Sequence, residues 1–403
     1  MQKADAVFEG GGVKGIGLVG AISVAEEKGY QWQNVAGTSA GAIVAALLAA
    51  GYKAKEIKEK MEELDYKKFK DRSLLDKVWI AGPIMSLIFE KGIYEGKWFK
   101  NWLRGLLQEK GVKTFKDLIH PDFKDDKRYR FKLRVVASDI TRGQMLVLPQ
   151  DIEDFGRKPE DLDVTDAIRM SMSIPFFYEP VKLKNKATGQ VSYIVDGGLL
   201  SNFPVWLFDT EGAEPEWPTF GFKLVEPFEL TELNLVCPYC DKVLATCELL
   251  EAHLKAEHKE ARAIEIACPY PECEGKKFAS VEALRNHLYA EHIRHKIRGP
   301  ISLLIALFST MSGAHDARYI KDADFARTVS IPTLDVSTTD FDLSPDKSEA
   351  LYQSGRKAAE KFFSSWNFPK YVSEYRKGKP REGRGSRLRS GQSENLNKRS
   401  KRR

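Results

Sequence analysis

Cysteine and histidine are both scarce in this chain, at five and seven among 403 residues. So few cysteines exclude the disulfide-dense scaffold of a small secreted protein. Long apolar runs are missing too: the longest, near Ile301 to Met311, is too short to span a bilayer. The start, Met1-Gln2-Lys3-Ala4-Asp5, has no basic stretch leading into an apolar core, so no secretory signal is expected. With the cysteines read as metal ligands rather than disulfides, the expectation is a cytoplasmic protein. Hydrophobic residues at 42% and charged residues at 30% are ordinary for a soluble globular chain, and the length exceeds one typical domain.

What the chain does have is concentrated between Glu9 and Gly41. Ala4 to Phe8 reads as a short buried strand, followed by Gly10-Gly11-Gly12-Val13-Lys14-Gly15 and a helix over Ile16 to Lys28 with Leu18, Ile22 and Ala25 on one face. Glycines let a backbone adopt positive φ and approach a ligand closely. Amides at such a helix mouth suit a phosphate or a developing oxyanion. Gly10-x-Gly12-x-x-Gly15 also fits a dinucleotide fingerprint, but that fold wants an acid on the ribose about 20 residues on. Here the next strand, near Trp32 to Ala36, ends in Gly37 without one. Gly37-Thr38-Ser39-Ala40-Gly41 then follows, again between a strand and a helix. A serine there sits on a strained turn relieved by its flanking glycines, with its hydroxyl above the sheet; an ordinary β-α turn is the plainer alternative.

A serine nucleophile needs a base. Four histidines fall into metal spacing, and His120, His295 and His315 carry no local signature. Tyr193-Ile194-Val195-Asp196-Gly197-Gly198 offers a carboxylate at a strand end instead. Asp196 can take the Ser39 proton directly as general base, or be a plain Asp-Gly turn.

These blocks, in this order, resemble the patatin-like phospholipase family. Ser171-Met172-Ser173-Ile174-Pro175-Phe176-Phe177 is similar to the family's segment before its aspartate. The likeness covers roughly Lys3 to Leu224 and Pro300 to Trp366. It implies a Ser-Asp dyad hydrolysing lipid acyl esters, with Ser39 as nucleophile, Asp196 as base and the N–H groups of Gly11, Gly12 and Val13 as oxyanion hole. Catalysis itself is not expected to need a metal. Lys14 departs from the arginine often found there, keeping the charge but losing the planar fork.

Ala54 to Leu64 reads as an amphipathic helix, Gly82 to Phe89 as an apolar segment, and Trp98 to Leu107 as a helix with one greasy face. Such segments serve either core packing or an acyl-chain entrance. Arg130 to Ser138 and Met145 to Leu148 read as partner strands, Thr165 to Met172 as a short helix, and Lys182 to Val195 as a hairpin delivering Asp196. Ile174 to Phe177 should run close to the site. Thr219 to Val225 is another strand. Ser344-Pro345 caps a final helix with Leu351, Ala358, Phe362 and Trp366 inward. The alternation predicts an α/β fold, a mainly parallel sheet between helices in the patatin-like three-layer manner.

Cys237, Cys240, His253 and His258 form one tetrad, and Cys268, Cys273, His287 and His292 a second. The spacing resembles a tandem pair of two-Cys two-His zinc fingers of ββα type, holding two structural zinc ions. Leu244 and Leu250, then Phe278 and Leu284, are the apolar fillers, and Cys247 is a packed residue on the first finger's helix. From Glu232 to Arg298 there are 10 Lys+Arg and 11 Asp+Glu. That balance, with Thr246, Leu249, Ala252, Ser280, Ala283 and Asn286 at the base-reading positions, argues against sequence-specific DNA binding and for docking of a partner protein or a structural insert.

The last stretch, from Arg376 to Arg403, has 12 Lys+Arg against 2 Asp+Glu and almost no apolar residues. It is read as a disordered basic tail that would attract anionic lipid headgroups at a membrane surface; nucleic acid would attract it too, and a solubilising tail with no partner is the plainer alternative. The expected organisation is a hydrolase core over 1–231 and 299–375, a finger insert over 232–298 and the tail over 376–403. The expected activity is a serine lipid acyl hydrolase, of phospholipase A or lysophospholipase type. An adaptor working through fingers and tail, with a silent core, is the alternative.

Overall fold

Apolar strands from distant parts of the chain are drawn into one sheet. The computed structural model describes residues 2–64, 92–94, 96–126, 129–209, 214–225, 235–244, 247–258, 265–269, 273–288, 291, 303, 306–308, 310–312, 322–334, 336, 338 and 343–378. The Gly82 to Phe89 segment, His292, His295, His315 and the tail beyond residue 378 lie outside them. The chain divides into two compact units. The first is Met1–Leu224, Leu303–Ile331 and Val336–Arg403, and the second is Val225–Ser302 with Pro332–Asp335.

In the first unit, β1 (Gln2–Phe8) leads through the glycine loop into α1 (Gly15–Glu27), then β2 (Tyr30–Thr38), α2 (Ala40–Ala49) and α3 (Ala54–Glu62). Strand β3 (Gly92–Tyr94) precedes α4 (Lys97–Glu109), which buries Phe99, Leu103, Leu106 and Leu107. Next come β4 (Leu133–Asp139), β5 (Gln144–Leu148), α5 (Val164–Ser171), β6 (Phe176–Tyr178), the hairpin β7 (Val181–Lys184) and β8 (Val191–Asp196), and β9 (Thr219–Val225). Strand β1 pairs in parallel with β2 and β9, and β2 with β4. Both β5 and β8 run antiparallel to β4. The sheet is therefore mixed, mostly parallel and flanked by helices, as the alternation predicts.

Register sets the site. Thr38 pairs with Val136 and Asp196 with Ala137, so the residue after β2 and the last residue of β8 reach the same level on either side of β4.

The sequence pattern assigns α1 a single buried face, yet the helix is buried all round from Gly15 to Ala25. The reason is a glycine contact with the long C-terminal helix. A Cβ on Gly20 would stand 2.0 Å from the Tyr352 carbonyl oxygen, and one on Gly355 would stand 1.9 Å from the Gly17 carbonyl oxygen. Only hydrogen at these positions lets the two backbones meet, so α1 has no face left for water.

The second unit holds two ββα elements. Strands β10 (Leu235–Val236) and β11 (Val243–Leu244) precede α6 (Cys247–Glu257), and β12 (Ile266–Ala267) and β13 (Lys277–Phe278) precede α7 (Val281–His287). Leu235, Leu250 and Leu254 of the first share one apolar cluster with Ile266, Val281 and Leu284 of the second. Arg285 also bonds Glu251 at 3.2 Å.

The first unit closes with β14 (Thr328–Pro332), which joins the sheet beside β9, and with α8 (Pro345–Ser365), capped by the Ser344 hydroxyl. The predicted final helix is not the last. α9 (Phe368–Tyr375) follows, with the Asn367 side chain accepting from Lys370 N at 2.8 Å and Pro369 in its first turn. That Asn-x-Pro start signal was readable, but the segment is too short for a clear apolar period. Arg376, at its end, joins a buried cluster in which Arg327 bonds both oxygens of Asp209 at 2.7 and 2.9 Å and Asp324 at 2.7 Å. Two arginines against two aspartates balance the charge, the condition for burying them.

The helix contact makes a direct prediction. Gly20→Val forces α1 off α8 and should cost about 3 kcal/mol or more. Gly105→Ala, on α4 where an added Cβ meets nothing within 4 Å, should stabilise by about 0.5–1 kcal/mol. Urea midpoints of the two variants, which should move in opposite directions, are the check.

Candidate active site and metal-ligand clusters

Ser39 is the N-cap of α2, with φ 53° and ψ −125°. A side chain rarely takes that conformation, and its cost is held by the packing around it. A Cβ on Gly37 would stand 2.3 Å from the Gly41 backbone, and one on Gly41 would stand 2.5 Å from the Phe8 and Glu9 carbonyl oxygens. The helix can enter this tightly only because both neighbours are glycine.

Two hydroxyls hold the turn. Ser39 N donates to Ser171 Oγ at 2.9 Å, and Ser171 Oγ donates to the Val136 carbonyl at 2.6 Å. Thr38 Oγ1 donates to the Ser201 carbonyl at 3.1 Å. Ser171 lies in a motif quoted for family likeness, but nothing in the sequence gave it this task.

Asp196 is 1% exposed. Its Oδ1 accepts from Gly198 N at 2.7 Å, while Oδ2 is buried with no hydrogen bond of standard geometry among the described residues. Burial pushes the carboxyl up to about 7, against the opposing pull of the Gly198 N–H and the Ser39 hydroxyl. The hydroxyl is thus close enough to act on the carboxylate without a tight bond, as is common before substrate arrives. Gly197 is forced by the Val136 carbonyl, 2.3 Å from where its Cβ would be.

The glycine loop faces the same point. A Cβ on Gly10 would lie 3.1 Å from the Ser39 Cβ. Gly11 caps a short 3₁₀ turn, Gly12–Lys14, and start-of-helix amides lack partners within the turn. Of the loop's first three glycines only Gly12 takes positive φ, at 58°. Gly11 is extended, and Lys14 is buried. Val13 N donates to the Thr338 carbonyl at 3.3 Å, a long bond. Asn202, which no sequence signal marked, ties the loop to the aspartate's turn: its Nδ2 donates to the Gly10 carbonyl at 3.1 Å and its own carbonyl accepts from Gly10 N at 3.3 Å.

Beside Ser39 lies a cavity of ≈ 40 Å³ lined by Ile43, Val44, Met61, Leu64, Trp102, Met172, Ile174 and Tyr178, with Gly12, Val13 and Thr338 at its wall. Among the greasy positions of α4, Trp102 faces it, while Leu103 and Leu106 pack the core. Ile174 does run to the site. His120 does not join it: its Nδ1 accepts from Asp122 N at 3.2 Å and its ring packs on Phe123. A hydroxyl, a buried carboxylate, a row of amides and an apolar slot are what ester cleavage in a greasy substrate requires.

The model of the patatin-like phospholipase family matches residues 6–209, half of the chain. The chain belongs to this family. The patatin-like chain is 36% identical over 369 residues to YqhO of Bacillus subtilis (strain 168), covering 90% of this chain and 99% of that one. It is 26% identical over 202 residues to the probable lipid hydrolase 463L of Invertebrate iridescent virus 6, covering 49% of this chain and 61% of the relative. The crystal structure of VipD from Legionella pneumophila is similar at a TM-score of 0.46 and 18% identity, covering 90% of this chain and 67% of that one. Family membership supports lipid hydrolysis in general terms.

Apart from this site, Cys237, Cys240, His253 and His258 place their ligand atoms within 4.8 Å of one another, as do Cys268, Cys273 and His287. Cys240 Sγ is 3.2 Å from His253 Nε2, and Cys273 Sγ is 3.2 Å from His287 Nε2. Such thiol and imidazole spacing suits the edges of a metal tetrahedron. The first set has all four members; the fourth of the second, His292, is outside the described residues.

Two kinetic results follow for this patatin-like site. Turnover of a soluble ester should rise with pH through about 7, as the Asp196 carboxyl loses its proton, and level off above. A limb near the ordinary carboxylate value, about 4, would contradict the burial of Asp196. Ser171→Ala should lower kcat by about tenfold with little change in KM, because it loosens the elbow rather than substrate binding.

Proposed function

We propose that the protein hydrolyses acyl esters of lipids, as a phospholipase A or lysophospholipase, through an acyl-enzyme on Ser39. The observation that carries this reading is the pairing of a strained, forward-held serine with a buried carboxylate of raised pKa beside an apolar slot. Ser39 Oγ attacks the ester carbonyl carbon while Asp196 accepts its proton. The amides of Gly11, Gly12 and Val13 hold the oxyanion, and Val13 exchanges the Thr338 carbonyl for it. The tetrahedral intermediate expels the alcohol, which takes the proton from Asp196. Water then attacks the acyl-enzyme while Asp196 takes its proton, and the second tetrahedral intermediate collapses with the proton passing from Asp196 to Ser39 Oγ as the fatty acid leaves.

The Cys/His sets fit structural zinc, held by Cys237, Cys240, His253 and His258 and by Cys268, Cys273, His287 and His292. The shared apolar cluster between the two ββα elements supports a partner-docking or structural role over reading bases from successive groove positions. The basic tail supplies attraction to anionic lipid, which keeps the protein cytoplasmic and peripheral to membranes. Among the described residues no helix is long and apolar enough to cross one.

Fatty-acid release from phospholipid vesicles should fall by at least about a thousandfold in Ser39→Ala and in Asp196→Asn, with both variants folded. Full activity in Asp196→Asn would remove the proposed base. Chelation should loosen the residues 232–298 and leave turnover of a soluble ester within about twofold; complete loss of turnover would assign the metal to the reaction.

A further inference from the structure

The described residues between 303 and 312 are helical. Ala306 and Ser312 are buried, whereas Leu303, Leu307 and Met311 are 44%, 51% and 55% exposed. Steps of four residues, at the helical spacing of the described residues, place the three on one side. Thr310 shares that side, but its hydroxyl bonds back to the Ala306 carbonyl at 2.7 Å, so it adds no unmet polar group. Apolar side chains this large, aligned and outward, are more than the scattered exposure normal to a surface.

The far end of this helix is tied to the catalytic turn. The Ser312 hydroxyl donates to the Gly198 carbonyl, and Gly198 N is the donor that holds Asp196. A surface that grips this helix is thereby placed next to the base.

We infer that this helix face is where the protein rests on an anionic lipid bilayer, with Leu303, Leu307 and Met311 entering the acyl boundary. The sequence supports lipid over a protein partner. Arg294, Lys296 and Arg298 immediately precede the apolar stretch, and 12 Lys+Arg follow from residue 376 onward. An apolar face flanked by basic residues is bound by apolar burial plus attraction to anionic headgroups. The inference deepens the hydrolase reading and rests on it for purpose: the acyl chains that the slot beside Ser39 would take are found in that surface. Binding and hydrolysis are nevertheless separate measurements.

The test uses the full chain and vesicles of phosphatidylcholine alone or mixed with phosphatidylglycerol. In flotation, the wild type should bind the mixed vesicles more tightly than the neutral ones. The triple variant Leu303→Ser, Leu307→Ser, Met311→Ser should bind them at least about tenfold more weakly, with turnover of a soluble short-chain ester unchanged. In a separate Leu307→Trp variant, the new indole's emission should shift to the blue when mixed vesicles are added. Equal flotation of the triple variant and wild type overturns the inference, as does an unshifted indole. A dimer in sedimentation that the triple variant abolishes, without change in flotation, overturns it in favour of a second copy of the chain. Flotation lost in the triple variant, with no ester turned over by the wild type, upholds the surface and sinks the hydrolase reading instead.

Discussion

The site depends on how closely α2 approaches the ends of β1 and β2. Gly41 lies against the Phe8 and Glu9 carbonyls, and Gly37 lies against Gly41 itself. That approach accompanies the positive φ of Ser39. It also brings Gly10 against the Ser39 side chain, so the glycine loop and the serine meet at one position. A methyl group at Gly37 or Gly41 would open all of these distances at once. The strain at Ser39 is sustained from outside the turn, by Ser171 below it and by the buried wall of α2.

Electrostatics follow from the same geometry. Asp196 lies beside β4 at the level reached by Ser39, one pair beyond Thr38–Val136. Burial, rather than a partnering histidine, raises its proton affinity. A carboxyl raised to about 7 is a stronger base than an ordinary carboxylate, and it becomes ionised as the pH rises through that value. The Gly198 N–H bond to Oδ1 fixes its orientation, and among the described residues Oδ2 has no hydrogen bond of standard geometry.

Much of this was legible because glycine and serine motifs encode backbone geometry locally. Ser39, Asp196 and the glycine loop could be named from three short blocks, and the strand-helix alternation gave the mixed, mostly parallel sheet. Contacts set by distant parts of the chain left no such trace. Ser171 reaches the site from the last residue of α5, and Asn202 and Thr338 from outside the helices and strands, through residues that are ordinary taken alone. The all-round burial of α1 depends on Gly355, more than 300 residues away in sequence. In the second unit, cysteine and histidine spacing marked the first Cys/His cluster and three members of the second. It could not show that the two elements share apolar packing, because that depends on how their helices meet.

The central claim is that Ser39 is a nucleophile made reactive by Asp196. A fluorophosphonate probe tests it most directly, since it reacts only with an activated serine. Peptide mass mapping should place a single adduct on Ser39, formed rapidly in the wild type and at least about a hundredfold more slowly in Asp196→Asn. An adduct on another serine, or equal labelling rates in the two proteins, would contradict the account.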